Sequence, residues 1–165
     1  MRRIAQSADD DHIVEMSLDL FREDPGPLPV APQNMRATLA VLRGDPGRGR
    51  AVVLEIQGRV AGYALLIRLW SNELGGDICE VDELFVVPEH RNQGYGSSLF
   101  EAITTGDLWP APIAAIVLGV TPGNTAARRL YERLGFAAAG IAMVRRLSQE
   151  PDRTPAVETR ICVST

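Results

Sequence analysis

A glycine-rich turn between a predicted strand and a predicted helix has the residue types that bind phosphate. The apolar residues 84–87 stop at Pro88, and Arg91, Gly94 and Gly96 follow with the spacing R-x-x-G-x-G. The free N–H groups and the positive dipole end of a helix N-terminus both favour an anion. Glycine also lets the backbone approach closely, because it has no Cβ. The turn is therefore a candidate anion site.

Two common nucleotide-binding loops do not match this turn. A Walker loop needs a lysine before its serine or threonine, and no lysine lies near Ser97 and Ser98. A dinucleotide-binding fingerprint needs a third glycine, and this chain has Leu99 in its place. For the spacing alone, an ordinary helix start with two turn glycines remains the alternative.

Carboxylates on the strand before the turn could supply a general base. Glu80, Asp82 and Glu83 interrupt a mostly apolar strand. Because side chains alternate along a strand, we expect Glu83 to share one face with Val81 and Phe85, and Asp82 to lie on the other. Burial would raise the pKa of such a carboxyl and make it a better base.

The same segment is strongly acidic. Between residues 73 and 83 there are five carboxylates and no basic residue, which would attract a cationic amine if the strand borders a cleft. A charged strand edge that opposes aggregation is the alternative. The carboxylates are Glu73, Asp77, Glu80, Asp82 and Glu83.

The elements that must position these residues follow from hydrophobic periodicity and turn signals. Strands are predicted at residues 3–6, 51–56, 60–69, 78–87, 113–120 and 141–147, and helices at residues 9–22, 34–43, 94–105 and 124–134. The order β-α-α-β-β-β-α-β-α-β predicts an α/β (α+β) fold, a mixed sheet with helices on both faces.

Length and composition indicate one domain at residues 1–147, followed by a polar tail at 148–165 that could add an edge strand at 159–164. The net charge of −4 argues against a nucleic-acid partner. No apolar run is long enough for a membrane helix, and no signal peptide is evident. Two cysteines give neither a disulfide framework nor a metal site. We therefore expect a cytoplasmic protein without a metal.

Two segments resemble the GNAT (GCN5-related N-acetyltransferase) superfamily. Residues 82–100, DELFVVPEHRNQGYGSSLF, are similar to its acetyl-CoA-binding motif. Residues 118–136, LGVTPGNTAARRLYERLGF, are similar to its following strand and helix, with the pattern N-x-x-A-x-x-x-Y-x-x-x-G-F. With the order of elements, the resemblance covers about residues 1–147 and implies a mostly antiparallel central sheet.

The resemblance implies acetyl-CoA as cosubstrate. Backbone N–H groups of the turn would bind the pyrophosphate, the main chain of the preceding strand would pair with the pantetheine arm, and Asn124 would hydrogen-bond the coenzyme or cap its helix. The turn residues are Arg91, Asn92, Gln93, Gly94, Tyr95, Gly96 and Ser97, and the strand residues are Phe85, Val86 and Val87.

The resemblance also implies direct attack of a primary amine on the thioester in a ternary complex. Glu83 would be the base, acting through water, with Asp82 as the second candidate. Tyr131 would be the general acid, since it lies seven residues after Asn124 and two helical turns place both on one face; a core tyrosine under the sheet is the alternative. The N–H near Val86 would polarise the carbonyl. No covalent enzyme intermediate is needed, so we expect Cys79 to be a core residue.

The acceptor is expected to be a small cationic amine, bound beside the loop at residues 23–33. The alternatives are a protein or peptide amine, or a non-catalytic sensor that binds coenzyme A. A homodimer is compatible with the family. Candidate wall residues, each equally explicable as core, are Phe21, Leu28, Met35 and Trp70.

Overall fold

The computed structural model describes residues 1–25, 31–110, 112–138 and 140. Two short 3₁₀ turns lie at Ser7–Asp9 and Pro88–His90. The strands within these ranges are β1 (Arg2–Ile4), β2 (Gly49–Ile56), β3 (Arg59–Ser71), β4 (Gly76–Val86) and β5 (Ala115–Leu118). The helices are α1 (Asp10–Glu23), α2 (Pro32–Gly44), α3 (Tyr95–Thr104) and α4 (Thr125–Arg133).

The described strands form one sheet in the order β1-β2-β3-β4-β5. Neighbouring strands from β1 to β4 are antiparallel to one another, and β5 is parallel to β4. A parallel pair requires a crossover, which α3 provides. The predicted mixed, mostly antiparallel sheet is confirmed. The strand predicted at residues 141–147 and the tail at 148–165 lie outside the described residues.

Helices cover both faces of the sheet, as the order of elements predicted. On one face α1 and α2 pack their apolar sides, with Ile13 and Leu39 in the core beside Leu65 of β3. On the other face α3 contributes Leu99 and Ile103, and Tyr131 of α4 packs against the same cluster. In α1 the buried residues recur at helical spacing, which is why one side of this helix faces the sheet. None of the described helices has both the length and the apolar character needed to cross a membrane.

A β-bulge in β4 changes which side chains face which helices. Leu65 of β3 pairs with Glu83, whereas the next residue, Leu66, pairs with Val81, so Asp82 is the extra residue. A bulge of this kind interrupts the regular alternation of side chains. Val81 therefore packs on the α3 face and Phe85 on the α1 face. The predicted common face of Val81 and Glu83 is wrong, because simple alternation does not hold across an inserted residue.

The end of β4 is paired on one side only within the described residues. Its ladder with β5 runs from Ile78 to Val81 and stops where β5 ends at Leu118. Its ladder with β3 continues to Val86. The side of β4 away from β3 therefore offers backbone groups to a ligand after Val81, as in β-augmentation.

Gly62 allows β3 to lie close to this part of β4. A Cβ at Gly62 would stand 2.6 Å from the carbonyl oxygen of Phe85. We expect Gly62→Ala to push the strands apart and to lower the free energy of unfolding by about 1–3 kcal/mol, measured by urea denaturation.

The matched control is Gly44→Ala at the end of α2, where a Cβ would meet no atom within 4 Å. This variant should be as stable as the parent protein or slightly more stable, because alanine favours helix. Equal stability of the two variants would show that the close approach at Gly62 is unimportant.

Candidate active site

The turn between β4 and α3 presents a row of backbone N–H groups. Asn92 and Gly94 adopt the left-handed conformation, with φ of 59° and 80°. Ser98 N–H donates to the Gly94 carbonyl oxygen, which closes the first turn of α3. Among the described residues, the N–H groups at positions 93–97 have no acceptor. Together with the helix dipole, they form an anion-binding concavity.

Arg91 connects this turn to its surroundings. Its Nε donates to the Val86 carbonyl oxygen at 2.7 Å, and its Nη2 donates to Glu23 Oε1 at 2.9 Å. Its guanidinium also lies 5.1 Å from the centre of the Phe85 ring. Arg91 therefore joins the turn to the end of β4 and to the end of α1.

The main chain at the end of β4 is oriented for a ligand by the ladder with β3. Val87 N–H donates to the Ala61 carbonyl oxygen. Because successive residues of a strand direct their N–H and C=O groups to opposite sides, those of Leu84 and Val86 face away from β3. The Val86 carbonyl oxygen already accepts a hydrogen bond from Arg91 Nε. The Val86 N–H is therefore the group of this residue that a ligand can use.

A cleft of about 680 Å³ runs from this turn along the end of β4 to α4. Two exposed arginines of α4, Arg129 and Arg133, line it together with His90 and Arg91. The sequence analysis missed both arginines of α4. Their i, i+4 spacing in a basic helix of an acidic chain was the signal that could have identified them. Positive side chains and free N–H groups together favour a multiply charged anion.

A second cleft, called the acidic cleft below, has a volume of about 390 Å³. It lies between the end of α1, the bulged part of β4 and residues 119–121. Asp24, Asp82 and Glu83 line it, and none of its described lining residues is basic. The two clefts share five lining residues and so are continuous at the start of α4. The shared residues are Leu20, Leu84, Asn124, Ala127 and Tyr131.

The two candidate bases differ in their surroundings. Burial raises the pKa of Glu83, while a hydrogen bond from the Tyr63 hydroxyl at 2.5 Å opposes that shift and nearby Asp82 adds to it. Asp82 is more exposed, and loss of hydration at the cleft wall still raises the pKa of its carboxyl. Both predicted bases therefore line one cleft, and Glu83 is the one held by another side chain.

Tyr131 lines both clefts. Its ring packs edge-on against Phe100 and Phe136, with ring centres 5.9 Å and 5.8 Å away. Burial raises the pKa of its hydroxyl, and the negative charge of Asp24 raises it further. Tyr131 is therefore protonated at neutral pH and can donate a proton where the clefts meet.

Asp24 connects the end of α1 to the start of α4, and the sequence analysis missed it. Its two carboxylate oxygens accept from Thr121 Oγ1 at 2.6 Å and from Asn124 Nδ2 at 2.8 Å. Asn124 Oδ1 accepts from Ala127 N–H at 3.1 Å, so Asn124 caps α4. No local sequence pattern identifies a contact across about 100 residues.

Of the remaining predicted residues, only some lie near the clefts. Phe21 lines the acidic cleft, and Met35 is buried in the α1–α2 core. The prediction for Trp70 is wrong, because it is 69% exposed near the far end of the β3–β4 hairpin. Leu28 lies outside the described residues. Cys79 is fully buried, and burial raises the pKa of its thiol to about 12, so it is a core residue as predicted.

Known proteins resemble this chain in sequence. The sequence model of the acetyltransferase (GNAT) family matches residues 13–136. A mycothiol acetyltransferase of Amycolatopsis mediterranei (strain U-32) is 42% identical over 62 residues, which are 38% of this chain and 19% of that protein. An N-acetyltransferase of Methanocaldococcus jannaschii is 36% identical over 84 residues, 51% of this chain and 50% of that protein. The similarity thus spans half or less of each relative.

Solved structures share the fold. A possible acetyltransferase from Clostridium difficile 630 superposes with a TM-score of 0.74 at 22% identity, covering 91% of this chain and 98% of the other. A ribosomal-protein-alanine N-acetyltransferase from Brucella melitensis biovar Abortus 2308 gives 0.66 at 18% identity, covering 89% and 99%. The family match includes every residue that lines the two clefts, from Leu20 to Arg133. The chain belongs to the acetyltransferase (GNAT) family.

Proposed function

We propose that this protein is an N-acetyltransferase that moves the acetyl group of acetyl-CoA to the primary amine of a small cationic molecule. The observation that carries the proposal is the junction of two clefts of opposite electrostatic character at Tyr131. One cleft offers free N–H groups and arginines, and the other offers carboxylates. A bisubstrate reaction between a polyanionic donor and a cationic acceptor needs such a pair of clefts.

In this proposal the larger cleft binds acetyl-CoA. The N–H groups at positions 93–97 donate to the pyrophosphate, and Arg129 and Arg133 supply positive charge for the phosphates. The free backbone groups of Leu84 and Val86 pair with the pantetheine arm. Arg91 and Asn124 act mainly through the protein itself, since their described hydrogen bonds are to other residues of the chain.

The proposed chemistry is direct attack in a ternary complex. The acceptor reacts as the neutral amine, after its ammonium form has released one proton to solvent. The amine nitrogen then forms a bond to the thioester carbonyl carbon while the carbon–sulfur bond breaks. Glu83 accepts the proton that the amine loses, directly or through one water molecule, with Asp82 as the second candidate. Val86 N–H donates to the carbonyl oxygen as negative charge develops there. Tyr131 gives its proton to the departing thiolate.

The acidic cleft favours a small cationic acceptor. Asp24, Asp82 and Glu83 attract an ammonium group, and the apolar side chains of Leu20 and Phe21 can pack against its carbon skeleton. A lysine side chain of a protein would present the same chemistry through a more open groove. A reaction with peptides but not with free amines would therefore select the alternative acceptor class.

Release of free coenzyme A tests the proposed reaction. We expect thiol to appear when the protein is incubated with acetyl-CoA and cationic diamines, faster than with neutral amines of equal length. The preference should weaken as salt is raised, because salt screens charge attraction. Tight coenzyme binding without turnover on any amine would indicate a sensor, and the absence of a thermal shift with coenzyme A would overturn the donor assignment.

Tyr131→Phe tests the general acid. The change removes one oxygen and keeps the ring between Phe100 and Phe136, so the fold and the coenzyme affinity should be retained. We expect kcat to fall by about 10²–10⁴ because the thiolate loses its proton donor. Calorimetric titration with coenzyme A provides the internal control. An unchanged kcat would remove Tyr131 from the chemistry.

The pH dependence tests the base. Glu83 accepts a proton only when ionised, and burial raises the pKa of its carboxyl. We therefore expect kcat/KM to decline as the pH falls through that raised pKa and to be independent of this group above it. This decline is the acid limb of the pH profile. Glu83→Gln should lower kcat/KM by about 10²–10⁴ and remove the acid limb.

The matched control for Glu83→Gln is Glu15→Gln, at an exposed carboxylate of α1 outside both clefts. It should retain the parent pH profile. If Glu83→Gln is fully active and Asp82→Asn loses the acid limb, Asp82 is the base instead.

A further inference from the structure

Tyr63 is a buried tyrosine whose hydroxyl contacts the proposed base. It lies in β3 with 2% of its surface exposed, and its ring packs against Phe85 with the ring centres 6.5 Å apart. Its hydroxyl donates to Glu83 Oε2 at 2.5 Å. Tyr63 does not line the acidic cleft, whereas Glu83 does. The hydrogen bond therefore joins the core on the α1 face to a side chain of the cleft.

The β-bulge makes this contact possible. In the ladder between β3 and β4, Tyr63 is opposite Phe85 and Leu65 is opposite Glu83, so Tyr63 and Glu83 are diagonal neighbours on one face. In a ladder without the bulge, Asp82 would be opposite Leu65, and Glu83 would then lie on the α3 face, away from Tyr63. The bulge thus brings Glu83 to a hydrogen-bond donor.

Few other groups compete for the Glu83 carboxylate. Ser17 Oγ on α1 is fully buried beside Tyr63 and Glu83, without a hydrogen bond of standard geometry to any described residue. No described residue lining the acidic cleft is basic. The titratable and polar groups that face Glu83 or share its cleft are Ser17 and Asp24 of the α1 segment, Tyr63 of β3, Asp82 of β4, Thr121 and Asn124 before α4, and Tyr131 of α4.

We propose that Tyr63 is a positioning residue of the acetyl-transfer site, which fixes the Glu83 carboxyl in one orientation through this hydrogen bond. One oxygen of Glu83 is then held by Tyr63, and Oε1 is left to accept the proton of the acceptor amine. The inference rests on the proposed role of Glu83 as base. Burial and the charge of Glu83 raise the pKa of Tyr63 well above its usual range, so Tyr63 remains a donor at every working pH.

Tyr63→Phe tests the inference, because the change keeps the ring and removes only the donor. A hydrogen bond to the ionised carboxylate favours the charged form, so its loss should raise the pKa of Glu83. We expect the acid limb of kcat/KM to move by about one pH unit to higher pH, as the loss of a charge-assisted hydrogen bond implies. An acid limb at the parent position would overturn the proposal.

A packing control separates the hydrogen bond from the stability of the core. Val53→Ala loosens the packing beside Tyr63 but keeps the Tyr63 hydroxyl, because Val53 is opposite Tyr63 in the ladder between β2 and β3 and lines neither cleft. This variant should unfold at a lower temperature and keep the midpoint of the acid limb. An equal displacement of the limb in both variants would mean that packing, not the hydrogen bond, sets the midpoint.

Two further measurements distinguish this inference from the proposed function. If Glu83→Gln leaves the acid limb in place, the base assignment fails whatever Tyr63 does. If Glu83→Gln removes the limb and Tyr63→Phe does not move it, only the role of Tyr63 fails.

Carbon NMR of the unmodified protein needs no variant. The Cζ resonance of Tyr63 should shift with the same midpoint as the Glu83 carboxyl, and a Tyr63 signal indifferent to that titration would contradict the hydrogen bond.

Discussion

The site depends on the different lengths of the two ladders along β4. The strand stays paired with β3 to Val86 but is paired with β5 only to Val81. Between these points its outward backbone groups lack a strand partner among the described residues, and the bulge at Asp82 lies at the start of this stretch. The open side of β4 borders the larger cleft, and the bulge directs Glu83 toward the acidic cleft. Both proposed half-sites thus arise from one strand.

Local features of the fold could be predicted from the sequence. A strand, a glycine-rich turn and a helix N-terminus are encoded within about a dozen residues, because the conformations of Asn92 and Gly94 and the helix that follows depend mostly on neighbours in the chain. Helical spacing likewise identified α1 and α4 to within a few residues. The two-turn spacing of Asn124 and Tyr131 is of the same kind, and both residues line the two clefts.

Non-local features could not be predicted from one sequence. The bulge depends on the register between β3 and β4, and alternation alone therefore gave the wrong face for Val81 relative to Glu83. The bonds of Asp24 join α1 to residues about 100 positions later, and Tyr63 meets Glu83 only after two strands pair. Trp70 was predicted to be a cleft-wall residue, but it is exposed near the end of the β3–β4 hairpin, away from both clefts.

The contacts of Arg91 have a consequence for the thermodynamics of ligand capture. With one guanidinium bonded to the Val86 carbonyl and to Glu23, the glycine-rich turn is fixed by bonds within the protein itself. The conformational freedom of the turn is therefore lost during folding and not during association. Preorganisation of this kind leaves more of the interaction energy to appear as affinity. Arg91 can thus strengthen binding of an anion without contacting it.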